Sequence, residues 1–266
     1  MSKFSVRSLL DKFSKPQKDV HYIELDETNS TNDYVKSLLA TLDGVEPEPR
    51  LTVAYTDYQT GGRGQGTNTW ESERGKNLLF SILCHPVWVP IQSQFIISEA
   101  IALALRDALS AITPDITIKW PNDIYWKDHK ISGTLIETAL SGGHIKDCII
   151  GTGVDVNQQS FHSDAPNPVS LWQIIGHDTD RLALLRDIVK RFDAYLTDIR
   201  NGNYEHIVAL YMSYLYRSHG FFPYRDSEGE FEAAIVEVED DGHLILRDRG
   251  DHIRSYAFKE VEFIIK

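Results

Sequence analysis

The segment Lys119-Trp120-Pro121-Asn122-Asp123-Ile124-Tyr125 is the stretch on which the interpretation of this chain depends most. Proline removes a ladder hydrogen bond from a strand, so we predict an irregular segment here. The Asn122 amide offers a donor and an acceptor to a base edge, and the Asp123 carboxylate is a candidate magnesium ligand or proton acceptor. Lys130, in a predicted turn at Asp128-His129-Lys130, is placed to reach an anionic phosphate or carboxylate. Taken alone, these residues are more often a plain β-hairpin with a charged turn.

A glycine-rich stretch lies upstream, from Gln59 through Gly61-Gly62-Arg63-Gly64-Gln65-Gly66 to Trp70. Glycines let a backbone approach a ligand closely, and successive N–H groups then cradle a phosphate. Arg63 adds a planar charged donor, and Trp70 offers a flat face to a purine. The alternative is a flexible surface loop that Trp70 anchors to the core, and the stretch by itself favours neither.

A weaker signal of the same kind is Gly151-Thr152-Gly153-Val154-Asp155-Val156-Asn157, which has strand character. Glycine inside a strand costs stability unless another group must come close. Gly151 and Gly153 therefore indicate a close approach, with Asn157 at the strand end. A plain glycine bulge is the alternative.

The remaining hydrophobic pattern predicts an α+β fold. Capping residues at Thr28–Asn32 predict the start of one helix, and apolar spacing predicts others over Phe95–Leu109, Leu182–Arg200 and Tyr204–Tyr216. Predicted strands are His21–Leu25, Leu51–Tyr55, Asn77–Cys84, Ile116–Trp120, Ser132–Thr138 and Cys148–Val156. Short strands at Phe231–Val238, Leu244–Leu246 and Ile253–Phe258 follow, which are typical of a small β-barrel. We therefore expect an N-terminal extension (1–20), a mixed α+β domain (21–217) and a small barrel domain (218–266).

Composition and charge argue against several classes of protein. The formal net charge of -12 and the pI of 5.2 argue against nucleic acid as the main partner, because dedicated nucleic-acid binders carry a basic surface. No run of about 18 or more apolar residues occurs, so we expect no membrane span. Met1–Val20 lacks the apolar core of a signal peptide, so we expect a cytoplasmic protein. Cys84 and Cys148 lie in apolar runs, which predicts two buried, reduced thiols.

Six segments occur in a fixed order along the chain, and together they resemble the biotin–protein ligases. They are Ser30-Thr31-Asn32, Gln59–Gln65, Trp70, Lys119–Ile124, Lys130 with Gly133–Glu137, and Gly151–Asn157. The resemblance covers roughly residues 21–265, and the Lys-Trp-Pro-Asn-Asp segment with its downstream lysine is its most specific part. It implies the biotin/lipoate ligase catalytic fold, a mixed β-sheet with flanking helices, followed by a small C-terminal SH3-like β-barrel.

The resemblance also implies ATP-dependent biotinylation of one lysine on a biotin carboxyl carrier protein, through a biotinyl-AMP intermediate and with Mg²⁺. The implied biotin contacts are Ser30, Thr31, Asn32, Gln59, Gly62, Arg63, Gly64, Gln65, Lys130 and Gly133. The implied ATP or adenylate contacts are Arg63, Trp70, Asn122, Lys130, Gly153 and Asn157. Lys130, Arg63 and Asp123 are the implied catalytic residues, and Asp123 is also the candidate Mg²⁺ ligand. Two fixed cations make chemical sense, because the attacking biotin carboxylate and the α-phosphate are both anions.

The chain departs from the family pattern in its glycine-rich stretch. Many relatives carry a second arginine where this chain has Gln65, and Gly66-Thr67-Asn68 lacks the usual basic residues. If nothing compensates, we predict that the adenylate phosphate is held less tightly and that biotinyl-AMP leaks faster. Residues 1–20 are too few for the helix-turn-helix domain of repressor relatives, so we expect an enzyme without a DNA role.

Two other functions compete with this interpretation. A lipoate–protein ligase or octanoyl transferase shares the catalytic fold, but the glycine-rich stretch and the Lys-Trp-Pro-Asn-Asp segment favour biotin. A biotin sensor without activity would lack Arg63 or Lys130, and both are present. The sequence leaves open the acceptor protein and the choice between monomer and homodimer, because an exposed strand edge can pair with an acceptor strand or with a second copy.

Overall fold

The computed structural model describes residues 20–42, 50–64, 66 and 68–265. The expectations for the N-terminal extension up to residue 19 and for Gln65 lie outside these residues. The strands are β1 His21–Thr28, β2 Thr52–Gln59, β3 Leu78–Cys84, β4 Ile116–Lys119, β5 Asp123–Trp126, β6 His129–Ser141, β7 His144–Val154, β8 Phe222–Asp226, β9 Gly229–Val238, β10 Leu244–Asp248, β11 Ile253–Tyr256 and β12 Glu262–Phe263. The helices are α1 Thr31–Leu42, α2 Phe95–Ser110, α3 Leu171–Ile175, α4 Arg181–Arg200 and α5 Tyr204–Ser213.

Seven strands form one mixed sheet in the order β1-β2-β3-β7-β6-β5-β4. β1 and β2 are parallel, and every other neighbouring pair is antiparallel. Parallel neighbours need a crossover connection, and α1 supplies it because it lies between β1 and β2 along the chain. The end of β1 and the end of β2 consequently meet at the start of α1, where the Thr60 N–H donates to the Thr28 carbonyl at 2.9 Å.

The sheet carries helices on both faces. α1 packs on β2, β3 and β7 around a small cluster of Val35, Ala54, Leu83 and Ile149. α2, α4 and α5 pack on one another and bury a much larger apolar cluster. Successive residues of a strand point to opposite faces, and in β3 Leu83 joins the first cluster while Ile82 joins the second. Odd-numbered residues of β3 therefore face α1.

The C-terminal part forms a separate five-stranded antiparallel sheet in the order β11-β10-β9-β8-β12. This arrangement is compatible with the SH3-like barrel that the resemblance implies. Its β9–β10 turn meets the other sheet, because the Trp120 indole Nε1–H donates to the Gly242 carbonyl at 3.0 Å. The C-terminal part of the chain thus contacts the Lys119–Tyr125 segment.

The expected α+β fold is confirmed, and several local predictions need correction. The irregular segment at Pro121 is only the short turn Trp120–Asn122, because β5 resumes pairing at Asp123. Lys130 lies within β6, and the turn before it is at Lys127 and Asp128. The predicted helix Tyr204–Tyr216 ends at Ser213, since Leu215 pairs with Ile118. β8 went unpredicted because it contains a proline, and α3 because it is too short to show periodicity.

Two predictions from composition can be compared with the structure. Cys84 and Cys148 lie opposite each other on β3 and β7, and both are buried and free, as predicted. Among the described helices, none is long and apolar enough to cross a membrane.

Candidate active site

A cavity of about 730 Å³ opens where the start of α1, the glycine-rich stretch and strands β5 to β7 meet. This volume is in the range of small-molecule sites. The predicted site residues that line it are Ser30, Thr31, Asn32, Gln59, Arg63, Gly64, Trp70, Asn122, Asp123, Lys130, Gly133 and Gly153. Gly62 and Asn157 do not line it.

Polar side chains at the start of α1 are fixed by hydrogen bonds at one end of the cavity. The Gln59 Oε1 atom accepts from the backbone N–H of Thr31 at 2.8 Å and from its hydroxyl at 3.0 Å. On β3, the Ser81 hydroxyl lies 2.7 Å from Thr31 Oγ1 and 2.6 Å from Asn32 Oδ1. The Asn32 amide donates to Glu137 Oε2 at 2.9 Å. These groups are preorganised, so a polar ligand that binds here meets oriented donors and acceptors.

The described part of the glycine-rich stretch folds back on itself as a narrow loop. The Gly64 N–H donates to the Asn68 carbonyl at 2.7 Å, and the Trp70 N–H donates to the Gly62 carbonyl at 3.1 Å. A Cβ atom at Gly62 would lie 2.8 Å from the Trp70 carbonyl oxygen, which leaves no room for a side chain. Gly62 therefore acts on the site by letting the two arms of the loop close together.

The Arg63 guanidinium is held by two carboxylates. Its Nη2 atom lies 2.7 Å from Asp33 Oδ1 and 3.4 Å from Glu137 Oε2. All three side chains are partly exposed, so water screens the pairs and each is weak. An anionic ligand can share or displace these contacts, which suits a cation that binds a phosphate or carboxylate.

The Trp70 indole lies directly over two glycines that face each other on neighbouring strands. Gly133 on β6 pairs with Gly153 on β7. A Cβ atom at Gly153 would lie 2.4 Å from Trp70 Cε2, and one at Gly133 would lie 3.1 Å from Trp70 Cζ3. Likewise, a Cβ atom at Gly151 would lie 2.1 Å from Asn32 Oδ1. The prediction that the two β7 glycines allow a close approach is confirmed, and the groups that approach are protein side chains.

The same indole leaves a polar group free. Trp70 Nε1 is buried and has no hydrogen-bond partner among the described residues. A buried donor without a partner costs stability. The Nε1 atom lies against β7, since a Cβ atom at Gly153 would be 2.6 Å from it.

Lys130 and Asp123 form an ion pair across β5 and β6. The Lys130 Nζ atom lies 2.7 Å from Asp123 Oδ1 and 5.7 Å from the centre of the Trp70 ring. Asp123 sits opposite Gly133 in the strand register, which brings the pair beside the indole. Lys130 thus reaches the cavity from β6 and not from the turn that we predicted.

The two asparagines expected at the adenine have different surroundings. The Asn122 amide lines the cavity and donates to the Thr134 carbonyl at 2.6 Å. Asn157 uses its amide to hold Thr179, donating to its carbonyl at 3.0 Å and accepting from its N–H at 2.8 Å. Its side chain is therefore occupied in joining β7 to the residues before α4.

Sequence reasoning missed the segment that covers one side of the cavity. Its lining residues are Phe161, Ser163, Asp164, Ala165, Pro166, Asn167 and Pro168. Phe258, in the turn between β11 and β12, also lines the cavity. Glu71 holds this segment in place, since its carboxylate accepts from the backbone N–H groups of His162 at 2.9 Å and Ser163 at 2.8 Å. Only the prolines hinted at an irregular segment, and nothing local indicated where it would pack.

A buried carboxyl group, Asp155, also lines the cavity and was not predicted. Asn77 donates to its Oδ1 atom at 2.9 Å. Burial raises the pKa of Asp155 well above its usual range, while the charge of Lys130 opposes this effect and that of Glu71 adds to it. The group is therefore a candidate neutral acid in the wall of the site.

The described residues offer no ready-made metal cage at this cavity. The one group of converging ligand atoms among them is Glu239, Asp241 and His243, on the β9–β10 turn. Asp123 does reach the cavity, and Mg²⁺ bound to a nucleotide typically needs only one or two carboxylates besides the phosphates. The donor set fits a metal that arrives with its nucleotide.

Comparisons with known proteins agree with the geometry. The sequence profile of the Biotin/lipoate A/B protein ligase family matches residues 25–155. The bifunctional ligase/repressor BirA of Bacillus spizizenii is 31% identical over 245 residues, which make up 89% of this chain and 72% of that protein. The biotin–[acetyl-CoA-carboxylase] ligase of Paracoccus denitrificans is 26% identical over 230 residues, or 84% of this chain and 92% of that protein. The solved biotin protein ligase from Aquifex aeolicus in complex with biotin and ATP is 25% identical, with a TM-score of 0.71 over 92% of this chain and 99% of that chain.

These similarities extend far beyond the motifs that line the cavity. The Bacillus relative matches 89% of the chain, and the Aquifex structure covers 92% of it. The chain belongs to the biotin–protein ligases of the Biotin/lipoate A/B protein ligase family.

Proposed function

We propose that this chain activates biotin with ATP and transfers it, through biotinyl-AMP, to one lysine of a biotin carboxyl carrier protein. The observation that carries this proposal is that Arg63, Trp70 and Lys130 line one cavity with the fixed Thr31–Gln59 pair. A polar end, a flat aromatic face and two cations match a ligand with a polar head, a purine and a phosphate between them.

In the first step, a biotin carboxylate oxygen attacks the α-phosphorus of ATP and pyrophosphate leaves. Two anions must approach each other, and the cations of Arg63 and Lys130 offset their repulsion. Asp123 keeps the Lys130 ammonium at the cavity when no substrate is present. Mg²⁺, with Asp123 as its candidate protein ligand, would neutralise charge on the leaving pyrophosphate.

In the second step, the acceptor lysine nitrogen attacks the carbonyl carbon of the mixed anhydride, and AMP leaves. The amine must lose a proton, and its ordinary pKa is about 10.4. Asp123 is the proposed proton acceptor because its carboxylate faces the cavity. The covering segment held by Glu71 would limit access of water to the anhydride before transfer.

The two ends of the cavity receive different parts of the ligand in this proposal. We assign the biotin head to the end formed by Ser30, Thr31, Asn32, Gln59, Gly64 and Gly133. We assign the adenylate to the end formed by Trp70, Asn122 and Gly153, with Arg63 and Lys130 at the phosphate. Gly62 and Asn157 would act indirectly, by closing the glycine-rich loop and by holding Thr179.

The wider setting is also proposed. The acceptor is a carrier domain of a biotin-dependent carboxylase, the chain has no nucleic-acid partner, and it works in the cytoplasm, where ATP is plentiful. We place the domain boundary between residues 217 and 218, so that the catalytic domain holds the seven-stranded sheet. Monomer and homodimer are both compatible with this site, since the residues assigned to it come from one chain.

The decisive experiment is a mass measurement on the acceptor. The purified chain is incubated with ATP, Mg²⁺, biotin and a biotin carrier domain, and lipoate replaces biotin in a parallel reaction. We expect a gain of one biotinyl group on one lysine that disappears without ATP. A mass gain with lipoate alone would show that the chain is a lipoate–protein ligase. No mass gain with either acid would refute the ligase proposal.

A further inference from the structure

A second cavity, of about 390 Å³, shares no lining residue with the cavity of the candidate active site. It is formed by the start of α2, the start of α5 and the β9–β10 turn. Its walls include Phe95, Glu99, Tyr204, Glu205 and Asp240. None of the described residues that line it carries a positive charge, although three carry carboxyl groups.

Glu99 is the unusual member of this set. It sits on the buried side of α2 and only 3% of its surface is exposed. Its Oε2 atom is buried without a hydrogen-bond partner among the described residues. Acidic side chains are almost never fully buried unless they are paired. Glu99 is an exception, because the described residues provide no hydrogen-bond partner for its Oε2 atom.

The surroundings of Glu99 favour the neutral form of its carboxyl group as long as no cation is bound. Burial raises the pKa of Glu99 to about 8, and the negative charge of Asp240 adds to the effect. Glu205 of α5 lies at the same cavity, and Tyr211 is the other titratable neighbour whose pKa Glu99 influences. None of the residues of α5 and of the β9–β10 turn that line the cavity with Glu99 is basic, and His243 of that turn does not line it.

We propose that this cavity is a binding site for an organic ammonium cation, held by the Glu99 carboxylate. The site is distinct from the one that takes biotin and ATP, and its ligand is a primary amine with an apolar body. The ammonium group would supply the missing partner of Glu99, and the body would lie against the apolar wall.

A bare metal ion fits the cavity less well. A metal needs several ligand atoms that converge, and the one converging group among the described residues is Glu239, Asp241 and His243, which does not include Glu99. The Phe95 and Tyr204 rings line the cavity instead, and aromatic faces attract ammonium groups. The volume also exceeds what an ion requires, which leaves room for the body of an amine.

The cavity is connected to the Trp120-Pro121 turn by direct contacts. The Phe95 ring packs edge-on against Tyr211, with 5.9 Å between ring centres, and the Tyr211 hydroxyl donates to the Pro121 carbonyl at 2.8 Å. A Cβ atom at Gly242 would lie 2.7 Å from the Phe95 ring, so the β9–β10 turn rests on that ring. A ligand beside Phe95 would thus touch the support of the segment that carries Asn122 and Asp123.

The test is a calorimetric titration of the full chain with 2-phenylethylammonium, with neutral 2-phenylethanol as the matched ligand. We expect the amine to bind at least about tenfold more tightly than the alcohol, and its affinity to rise about tenfold per pH unit up to a pH of about 8, because binding requires the ionised Glu99. Proton release on binding, measured in two buffers of different ionisation enthalpy, should approach one proton at neutral pH.

Two variants decide whether Glu99 is the anchor. Glu99→Gln keeps the shape and removes the charge, so it should lose at least about tenfold in amine affinity together with the pH dependence. Glu205→Gln removes an exposed charge at the same cavity and should retain most of the affinity. Equal binding of amine and alcohol by the unaltered chain would overturn the proposal. Absence of saturable amine binding, or full affinity in Glu99→Gln, would overturn it as well.

Discussion

The Nζ atom of Lys130 lies 2.7 Å from the Oδ1 atom of Asp123. The two residues belong to adjacent strands, and their side chains are already paired without a ligand. The pair is only partly shielded from water, and its contribution to stability is correspondingly small. Its main effect is to hold a cation at the place where two anionic substrates must meet.

Removing the Lys130 charge should suppress adenylate formation. We expect Lys130→Met to reduce biotin-dependent ATP–pyrophosphate exchange by at least about 100-fold, because the developing negative charge loses a fixed cation. Lys130→Arg keeps the charge and should lose less. Lys127→Met is the matched control, since Lys127 lies on the preceding turn against Trp126 and does not line the cavity. A folded Lys130→Met variant with normal exchange would disprove the role of this ammonium.

Glu71 should control how long the intermediate stays bound. The variant Glu71→Gln keeps one acceptor oxygen but loses the charge that holds two backbone N–H groups of the covering segment. We expect biotinyl-AMP to dissociate about tenfold faster, equivalent to about 1.4 kcal/mol. The rate is measured by chasing preformed intermediate with unlabelled biotin and ATP. Glu73→Gln, in the same loop, is the control, and equal rates in both variants would rule out a specific contribution from Glu71.

The same residue predicts a pH dependence for this retention. Burial would raise the pKa of Glu71, but hydrogen bonds from Ser163 and His162 outweigh it and hold the pKa below its ordinary value of 4.5. The stabilisation is therefore fully present above 4.5 and is lost as the pH falls through the lowered value. Leakage should stay constant from neutral pH down to about 5 and rise in more acid buffers, whereas Glu71→Gln should leak quickly throughout.

The sequence located the parts of this site that carry local signals. Glycines indicated the loop around Arg63 and the strand with Gly153, and a proline indicated the turn at Pro121. Glycine and proline each restrict or permit particular backbone conformations, so a short stretch of sequence is enough to show them. Two of the closest approaches to those glycines come from Trp70 and Asn32, as expected for positions where a side chain would collide.

The remaining parts depend on tertiary packing and gave no local signal. Phe258 reaches the cavity from the turn between β11 and β12, and Phe161 lies on an irregular segment after β7. Asn157 was expected at the adenine because of the family resemblance, and both sides of its amide hold Thr179. Whether a polar side chain serves the ligand or the fold is decided by its three-dimensional neighbours, which spacing along the chain does not supply.

Gly153→Ala should disturb the position of Trp70. The new Cβ atom would lie 2.4 Å from Trp70 Cε2, so the indole must move. A displacement of about 1 Å at a site can cost about 100-fold in rate, and we expect a loss of this order in biotinylation together with a shift in tryptophan fluorescence. Gly250→Ala is the control, because it meets the exposed His252 side chain on a distant turn. Normal activity in Gly153→Ala would show that the indole position is unimportant.

Glu99 should make the protein less stable as the pH rises. Burial, with help from Asp240, raises its pKa from 4.5 to about 8 in the folded chain. Its contribution is therefore complete below 4.5, and it is lost between 4.5 and about 8, where only the unfolded chain has released the proton. The free energy of unfolding should fall by up to about 1.4 kcal/mol per pH unit through this window.

The variant Glu99→Gln isolates this effect. The free energy of unfolding is measured by urea titration at about pH 5, 6.5 and 8. The value for the variant minus the value for the unaltered chain should increase as the pH rises. Glu205→Gln, at the exposed side of the same cavity, should follow the unaltered chain. Parallel curves for Glu99→Gln and the unaltered chain would mean that Glu99 titrates normally.

Lys259 should supply part of the positive charge that the glycine-rich stretch lacks. Its Nζ atom lies 2.6 Å from the place where a Cβ atom of Gly66 would be, and it has no ion-pair partner among the described residues. Lys259 also has a φ of 73°, a left-handed conformation that costs a non-glycine residue roughly 1 kcal/mol. We expect Lys259→Met to raise the KM for ATP and the leakage of biotinyl-AMP severalfold, with a weaker salt dependence of both.

Lys259→Gly separates charge from backbone strain. It should lose the same retention of biotinyl-AMP as Lys259→Met, yet unfold at a higher denaturant concentration, because glycine adopts this φ without strain. Lys146→Met removes an exposed lysine on β7 and serves as the control for overall charge. If both Lys259 variants retained the intermediate as well as the control, the glycine-rich loop would hold its anion without help from the C-terminal sheet.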